Sequence, residues 1–287
     1  MTTITPRKNR LRQVWEQVSI IKNSRVAMIG LSIIVFWVLV AILAPLIAPH
    51  DPLASNSKAI NQGPSSEYLL GTDSLGRDTL SRLIYGTRMI LLLSPLSVLS
   101  AVAIGTTLGL IGGYFGGLID EVVMRLLDAV MAFPAILLYL IIISAIGPSA
   151  LNVVIAITFV GTPGIARLVR SLALDIRTRD YVRAAETRGE NPFYIMFVEI
   201  LPNVRGPLII DSLLRVGYAV FAIGTLGFLG LGLRPPTPDW GGMAADAQKY
   251  IWNNPLGVLW PIVALASLVV GLNLFADGLR EETTRYQ

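Results

Sequence analysis

Residues 180–203 read DYVRAAETRGENPFYIMFVEILPN, and the position of this segment decides how the rest of the chain is interpreted. The residues predict two short helices with a sharp joint. Residues 184–186 favour the first helix, and Gly189 can adopt the left-handed conformation that ends it. Asn191 then caps a second helix that begins with Pro192. A helix pair of this size cannot bury its apolar face alone, so it needs a surface to pack on.

The same segment carries three further predictions. Asp180 is expected to cap the first helix, and Pro202 is expected to stop the second. One apolar face is expected to hold Phe193, Phe197, Ile200 and Leu201. The segment is then either a cytoplasmic loop that lies on its own membrane bundle or a docking element for a soluble partner. Its spacing alone leaves both interpretations open.

Hydropathy predicts an all-α polytopic membrane protein. Of the 287 residues, 53% are hydrophobic and only 15% are charged, against roughly 25% charged in soluble domains. Five stretches contain no Asp, Glu, Lys or Arg: 26–49, 89–119, 129–166, 216–233 and 250–276. A membrane-spanning helix needs about 20 apolar residues. The stretch 129–166 is too long for one helix and is broken at residues 147–149, so the prediction is six transmembrane helices.

The predicted organisation follows from these stretches. It comprises a cytoplasmic N-terminal tail (1–25), a first transmembrane helix (26–48), an extracytoplasmic segment with an amphipathic helix (49–88), a five-helix core (87–278) that contains the 180–203 loop, and a cytoplasmic C-terminal tail (279–287). The predicted later spans cover about 89–111, 126–146, 151–165, 207–233 and 258–275. The amphipathic piece 76–88 is interpreted either as a helix along the membrane surface or as the first turn of the second span.

Basic residues fix the expected orientation. With six spans both termini lie on one side, and that side receives sixteen of the 23 Lys and Arg residues, seven of them in 167–205. The positive-inside rule therefore places both termini and the 180–203 loop in the cytoplasm. The basic balance is explained by topology, so nucleic acid is not an expected partner and the lipid bilayer is.

Small and charged residues mark two candidate sites within the spans. Gly105 and Gly109 would form a smooth helix face for close packing, and so would Gly224 and Gly227. Asp211 and Arg215 lie at i and i+4 and can form an ion pair on one helix face. Charged groups at membrane depth are functional candidates, but Arg215 could also be a residue that extends its charge toward the cytoplasmic interface.

Enzymatic chemistry is not predicted for this chain. It has no cysteine and one histidine, His50, so it offers no thiolate site, no metal-ligand cluster and no catalytic residues. It contains no phosphate-binding G-x-x-x-x-G-K-[ST] sequence. The spans hold no acidic or histidine relay of the kind that a proton- or sodium-coupled carrier needs. An energy source outside the chain is therefore expected, and a stand-alone secondary carrier or channel is the weaker alternative.

The 180–203 segment resembles the EAA loop of permease subunits of binding-protein-dependent ABC importers, through its paired alanines, a glycine four residues later and a Leu-Pro end. Five further segments resemble the peptide/nickel class of these permeases, and most of all its C-type partner: LGTDSLGRDTLSRLIYGTR (70–88), GGYFGG (112–117), MRLLDAVMAFP (124–134), FLGLGLRPPTPDWGGMAADAQKY (228–250) and NLFADGLR (273–280). The resemblance extends from about residue 20 to residue 281.

The resemblance implies a type I ABC importer permease fold, a bacterial or archaeal cytoplasmic (inner) membrane location, and several partners. These are a homologous second permease, two cytoplasmic ATPases that bind ATP and Mg, and an extracytoplasmic solute-binding protein. This chain itself is expected to bind no cofactor or metal. Di- or oligopeptides are the expected substrates, with nickel complexes, oligosaccharides or opines as alternatives.

The resemblance also assigns ATPase coupling to nine residues: Tyr181, Arg183, Ala184, Ala185, Glu186, Gly189, Glu199, Leu201 and Pro202. Two of them depart from the family pattern. Arg183 occupies a position that is often Glu, and Glu199 occupies one that is often basic or His. Different charge pairing is therefore expected at the ATPase contact.

Overall fold

The computed structural model describes residues 24–285, and within that range it contains helices and loops but no extended β-strand. Residues 1–23 of the predicted N-terminal tail and the last two residues of the C-terminal tail lie outside the described range. We number the helices α1 (Arg25–Ile47), α2 (Thr79–Phe115), α3 (Gly117–Met131), α4 (Ala135–Ile146), α5 (Ala150–Arg177), α6 (Asp180–Thr187), α7 (Pro192–Phe228), α8 (Trp240–Gln248) and α9 (Pro255–Arg285).

Helices α1, α2, α5, α7 and α9 are long and apolar enough to span a membrane. The pair α3–α4 makes a sixth span if it is counted as one. The predicted span over 126–146 is not one continuous helix, because α3 and α4 meet at an angle of 88°. Pro134 explains the break: it has no N–H to donate and disfavours helical backbone at the residue before it.

The most extensive helix pair is α2 with α5. It depends on three glycines of α2 that lie directly on the α5 backbone. A Cβ at Gly105 would lie 2.9 Å from the Thr162 carbonyl oxygen, and one at Gly109 would lie 2.5 Å from the Ala166 carbonyl oxygen. Gly113 extends this row of close contacts, since a Cβ there would lie 3.0 Å from the Arg170 carbonyl oxygen. We call the row the α2–α5 seam. Small residues therefore let two long helices approach closely without a polar driving force.

Helix α1 packs along α9, so the first and last described helices are neighbours. A Cβ at Gly30 would lie 2.4 Å from the backbone nitrogen of Phe275, and a Cβ at Gly278 would lie 2.6 Å from the backbone nitrogen of Ala27. Further along, the Trp37 indole nitrogen donates a 2.9 Å hydrogen bond to the Ser267 hydroxyl. The sequence analysis did not identify this second glycine contact.

Helix α2 begins earlier than the predicted second span. Asp78 caps it by accepting a 2.9 Å hydrogen bond from the Ser81 backbone nitrogen. Residues 79–88 are therefore the first turns of α2, and they are largely buried. The alternative of a separate amphipathic helix along the membrane surface is wrong, because residues on every side of these turns are covered by the rest of the chain.

Two apolar clusters form the core. The larger one joins α1, α2, α4, α5, α7, α8 and α9, and the ring centroids of Trp37 and Trp240 lie 4.9 Å apart in an edge-to-face contact. The smaller one joins α2 and α5 to α6 and the start of α7. The 180–203 segment is therefore packed against α2 and α5 through this smaller core and does not extend freely from the bundle.

Candidate functional site

The joint of the 180–203 segment has the predicted geometry. Gly189 has φ of +75°, and a Cβ there would meet no atom within 4 Å. Two residues later, the Asn191 side-chain oxygen accepts a 2.9 Å hydrogen bond from the Phe193 backbone nitrogen. The chain therefore reverses through one left-handed residue and begins a new helix at a side-chain cap.

Two predictions at the ends of the segment are wrong. Asp180 is the first residue of α6 and does not cap it; Arg179 occupies the cap position without a side-chain hydrogen bond. The Asp180 charge still favours the helix N-terminus through the helix dipole. Pro202 does not stop the second helix, because α7 continues through it to Phe228.

A π-helical segment, Ile195–Ile200, explains how α7 passes Pro202. A π turn is wider than an α turn, and the Leu201 backbone nitrogen donates to the Met196 carbonyl five residues back. Pro202 then lies in the first turn of the following α-helical part, where a missing N–H is tolerated. The extra residue per turn also moves side chains to new faces.

The predicted apolar face is consequently split. Ile200 is fully buried, whereas Phe193 is 62% exposed and Phe197 is 39% exposed. The side chains that anchor the segment on α2 and α5 are instead Val182, Ala185, Ile195, Met196 and Ile200. The uncovered side holds large apolar residues: Tyr181, Phe193, Tyr194, Phe197 and Val198. We call these five residues the aromatic surface.

Some of the remaining residues of the segment are buried against the bundle, and others are exposed. Ala185 is buried, while its neighbour Ala184 is exposed. Leu201 packs on the smaller core and Pro202 is exposed. Glu186 forms a hydrogen bond with the Tyr114 hydroxyl at the end of α2. The loop is therefore tied to α2 by a polar contact as well as by burial.

The charged residues of the segment pair across the joint. Arg188 lies 3.5 Å from a Glu190 carboxylate oxygen and 3.8 Å from one of Glu199. Glu199 thus has an intrachain cation beside it. Arg183 is exposed and makes no ion pair with a carboxylate of residues 24–281.

The predicted ion pair between Asp211 and Arg215 is present on α7. The Arg215 Nε donates a 2.5 Å hydrogen bond to Asp211 Oδ2, and the two side chains are 25% and 30% exposed. The guanidinium rests on Gly164 of α5, where an added Cβ would lie 2.9 Å from Nη1. Arg215 comes ten residues after Arg205, which corresponds to about 15 Å along the helix.

The second predicted glycine pair packs against different groups. Gly224 faces the Leu265 side chain of α9, and Gly227 faces the Asp239 carboxylate. Asp239 is buried and caps α8 by accepting hydrogen bonds from the Gly241 and Gly242 backbone nitrogens. Burial raises the pKa of Asp239 to about 6, against the lowering effect of those backbone hydrogen bonds. The sequence feature that indicates this cap is PDWGG (238–242), in which Asp239 stands two and three residues before two glycines.

A cluster that the sequence analysis missed lies before α2. Asp73 lies 2.7 Å from the Arg77 Nε and 3.4 Å from the Arg82 Nε, and both arginines are nearly buried. Arg82 also donates hydrogen bonds to the Pro52 and Pro236 carbonyl oxygens, which joins the two long loops. Among the described residues, no group of three His, Cys, Asp or Glu side chains could hold a metal ion.

Two known families match the chain. Residues 105–281 match the family described as "Binding-protein-dependent transport system inner membrane component". Residues 10–64 match "N-terminal TM domain of oligopeptide transport permease C".

Several named proteins are similar over nearly the whole length. The dipeptide transport system permease protein DppC of Haemophilus influenzae is 40% identical over 96% of this chain and 94% of its own. DppC of Alkalihalophilus pseudofirmus is 39% identical over 98% of this chain and 90% of its own. The glutathione transport system permease protein GsiD of Pectobacterium atrosepticum is 38% identical over 86% of this chain and 83% of its own.

Among solved structures, the inward-facing MetNI methionine ABC transporter has a chain that matches with a TM-score of 0.56. The match covers 71% of this chain and 95% of that chain at 19% identity. At this identity the likeness concerns the fold, which is that of a type I ABC importer permease.

Proposed function

Because this chain belongs to the binding-protein-dependent transport system inner membrane component family, we propose that it forms half of the pathway through which an ATP-driven importer moves di- or oligopeptides. It is a multi-pass membrane permease subunit of the C type. The names of its relatives favour small peptides, including glutathione, over the nickel, oligosaccharide and opine alternatives. The second half of the pathway would come from a homologous permease.

The energy would come from two cytoplasmic ATPases that bind ATP and Mg, and the solute would come from a binding protein on the opposite side. The charge distribution supports this arrangement, since most Lys and Arg residues fall on the side of the 180–203 loop and the termini. We therefore place that loop in the cytoplasm and the segments 49–78 and 229–254 on the outer side, in a bacterial inner membrane.

The observation that carries the proposal is the division of the loop into an anchored side and an uncovered side. Val182, Ala185, Ile195 and Met196 are at most 1% exposed and fix the loop to α2 and α5. The aromatic surface on the other side has no cover within residues 24–281. Exposed apolar patches mark protein or membrane contacts, and the proposed cytoplasmic position of this loop favours a protein. Aromatic residues carry much of the energy of protein contacts.

The anchoring suggests how coupling would occur. A movement of the ATPases would shift the loop, and the loop is continuous with α7 and packed on α5. Both of those helices would then tilt together. Such a shift requires the ATPases to bind the two permease states with different free energies, and the anchored loop supplies the contact through which that difference acts.

Replacement of one aromatic residue tests the proposal. We expect Phe193→Ser to weaken the copurification of the ATPase subunits and to lower ATP-driven dipeptide uptake, because loss of a central aromatic contact costs about 2 kcal/mol or more. The matched control is Trp252→Ser, since Trp252 is 95% exposed on the proposed outer side. Equal ATPase recovery with wild type and Phe193→Ser, together with unchanged uptake, would contradict the assignment.

A further inference from the structure

The Asp211–Arg215 pair lies at the edge of an uncovered strip on α7. Residues 211, 218 and 225 recur every seven positions, and Phe221 and Phe228 extend the strip. Tyr218 is 70% exposed and Phe221 is 60% exposed, whereas Val220 and Ile223 on the other faces are buried. The strip therefore combines aromatic rings, two hydroxyl groups and an ion pair at membrane depth.

This composition does not suit a face that contacts only lipid. Charged side chains within membrane-spanning helices almost always face the bundle interior or a water-filled cavity. The opposite face provides the contrast: Ile209 is nine residues from Tyr218, which places it half a turn away, and it is apolar and 57% exposed. The two exposed faces of α7 thus have different chemistry, and the polar one is the candidate for the solute pathway.

Both members of the pair retain capacity for a further partner. Arg215 donates from Nε to Asp211 Oδ2, while its contact from Nη2 to Asp211 Oδ1 is long, at 3.5 Å. Its Nη1 lies against Gly164, which has no side chain to bind it. Neither group is fully buried. A carboxylate could therefore bind the guanidinium, and an ammonium could bind the Asp211 oxygen that is only weakly engaged.

We propose that Asp211 and Arg215 form a transient binding site for the charged ends of a peptide as it crosses the membrane. The proposal rests on the function proposed above. A peptide with neutral side chains carries one ammonium and one carboxylate, and the pair offers the complementary charges four residues apart. Asp211 would receive the ammonium and Arg215 the carboxylate, while Tyr218 and Phe221 would contact the apolar part. The intrachain ion pair would hold both charges in place when the site is empty.

A charge swap distinguishes this site from a structural ion pair. The variant D211R/R215D keeps an i, i+4 ion pair and the net charge but reverses its polarity. The control swap, E121R/R125E, reverses a similarly spaced pair on α3 that is largely exposed. The assay is uptake of tritiated dialanine, whose only charges are its termini, into proteoliposomes that hold the complete importer.

The wild-type complex is measured first, because its uptake of dialanine tests the proposed function separately. We then expect D211R/R215D to take up dialanine at least tenfold more slowly than wild type, with binding-protein-stimulated ATP hydrolysis within twofold. The control swap should match wild type in both measurements. Wild-type uptake by D211R/R215D would show that the pair is structural and would overturn the proposal.

A second measurement avoids any dependence on the stability of the swap variant. A photoreactive benzoylphenylalanine replaces either Tyr218 or Ile209 in the otherwise unchanged chain. During ATP-driven turnover, tritiated dialanine should cross-link to position 218 and not to position 209. Cross-linking of position 218 only to lipid or to the second permease would overturn the proposal.

Discussion

The joint at Gly189 offers a quantitative test of how the loop transmits force. A Cβ at this position would meet no atom within 4 Å, so a substitution adds no steric clash. The remaining cost is conformational, because φ is +75°. For an L residue the left-handed region costs roughly 1–2 kcal/mol, a value that Asn partly avoids and that a β-branched residue exceeds.

The free-energy cost of a non-glycine residue at position 189 determines whether the protein unfolds or only its coupling changes. A cost of about 1–2 kcal/mol is small against the 5–15 kcal/mol stability of a typical protein, so the bundle stays folded. It is nevertheless enough to shift the joint about 5- to 30-fold toward other conformations. These conformations would change the angle between α6 and α7. We therefore expect dipeptide imported per ATP hydrolysed to fall in the order Gly, Asn, Ala, Val at position 189.

Reconstituted importer in proteoliposomes, with uptake and phosphate release measured together, gives the required ratio. Gly206→Val is the matched control, since Gly206 also has open space around it but lies in ordinary helical backbone. A wild-type ratio for Gly189→Val would refute the reasoning. Equal loss with Asn and Val would also refute it, because the side chain and not the backbone would then be responsible.

Two further predictions concern stability, measured as the free energy of unfolding in mixed micelles. Gly109→Ala should destabilise the chain by about 1–3 kcal/mol, because its Cβ would lie 2.5 Å from the α5 backbone. The control Gly161→Ala should cost far less, because the nearest atom to its Cβ would lie 3.5 Å away. Equal costs for the two variants would contradict the close packing of α2 on α5. Asp239 has its pKa raised to about 6 from an ordinary 3.8, so the folded state binds more protons between these values and stability falls as pH rises from about 4 to about 6. The free energy of unfolding of the wild type should therefore fall relative to that of Asp239→Asn between about pH 4 and about pH 6. If the difference between the two proteins stayed constant over this pH interval, the raised pKa of Asp239 would be contradicted.

The residues predicted five of the apolar spans and the joint, because these depend on local chemistry. Long stretches without charged residues indicate segments that lie in the apolar interior of a membrane. Gly189 and Asn191 determine the backbone conformation of the residues next to them. The contact surface at Gly105 and Gly109 could also be predicted, because glycines four residues apart lie on the same face of a helix. In each case the information lies within a few residues along the chain.

Other features depend on contacts that no local pattern contains. The π segment before Pro202 lets α7 continue through a residue that normally ends a helix, so α7 begins well before residue 207. The bend at Pro134 divides a run whose composition indicates one helix. The role of Gly164 could not be predicted from its neighbours in sequence, because it is defined by the Arg215 guanidinium that lies on it.

The packing of α1 on α9 has a consequence for biosynthesis. The hydrogen bond between Trp37 and Ser267 joins residues 230 positions apart, and the close contact of Ala27 with Gly278 joins residues still further apart. Because α1 precedes α9 along the chain, the glycine face of α1 stays uncovered during synthesis until α9 has been made. A chain that stops before α9 would leave that face open to lipid.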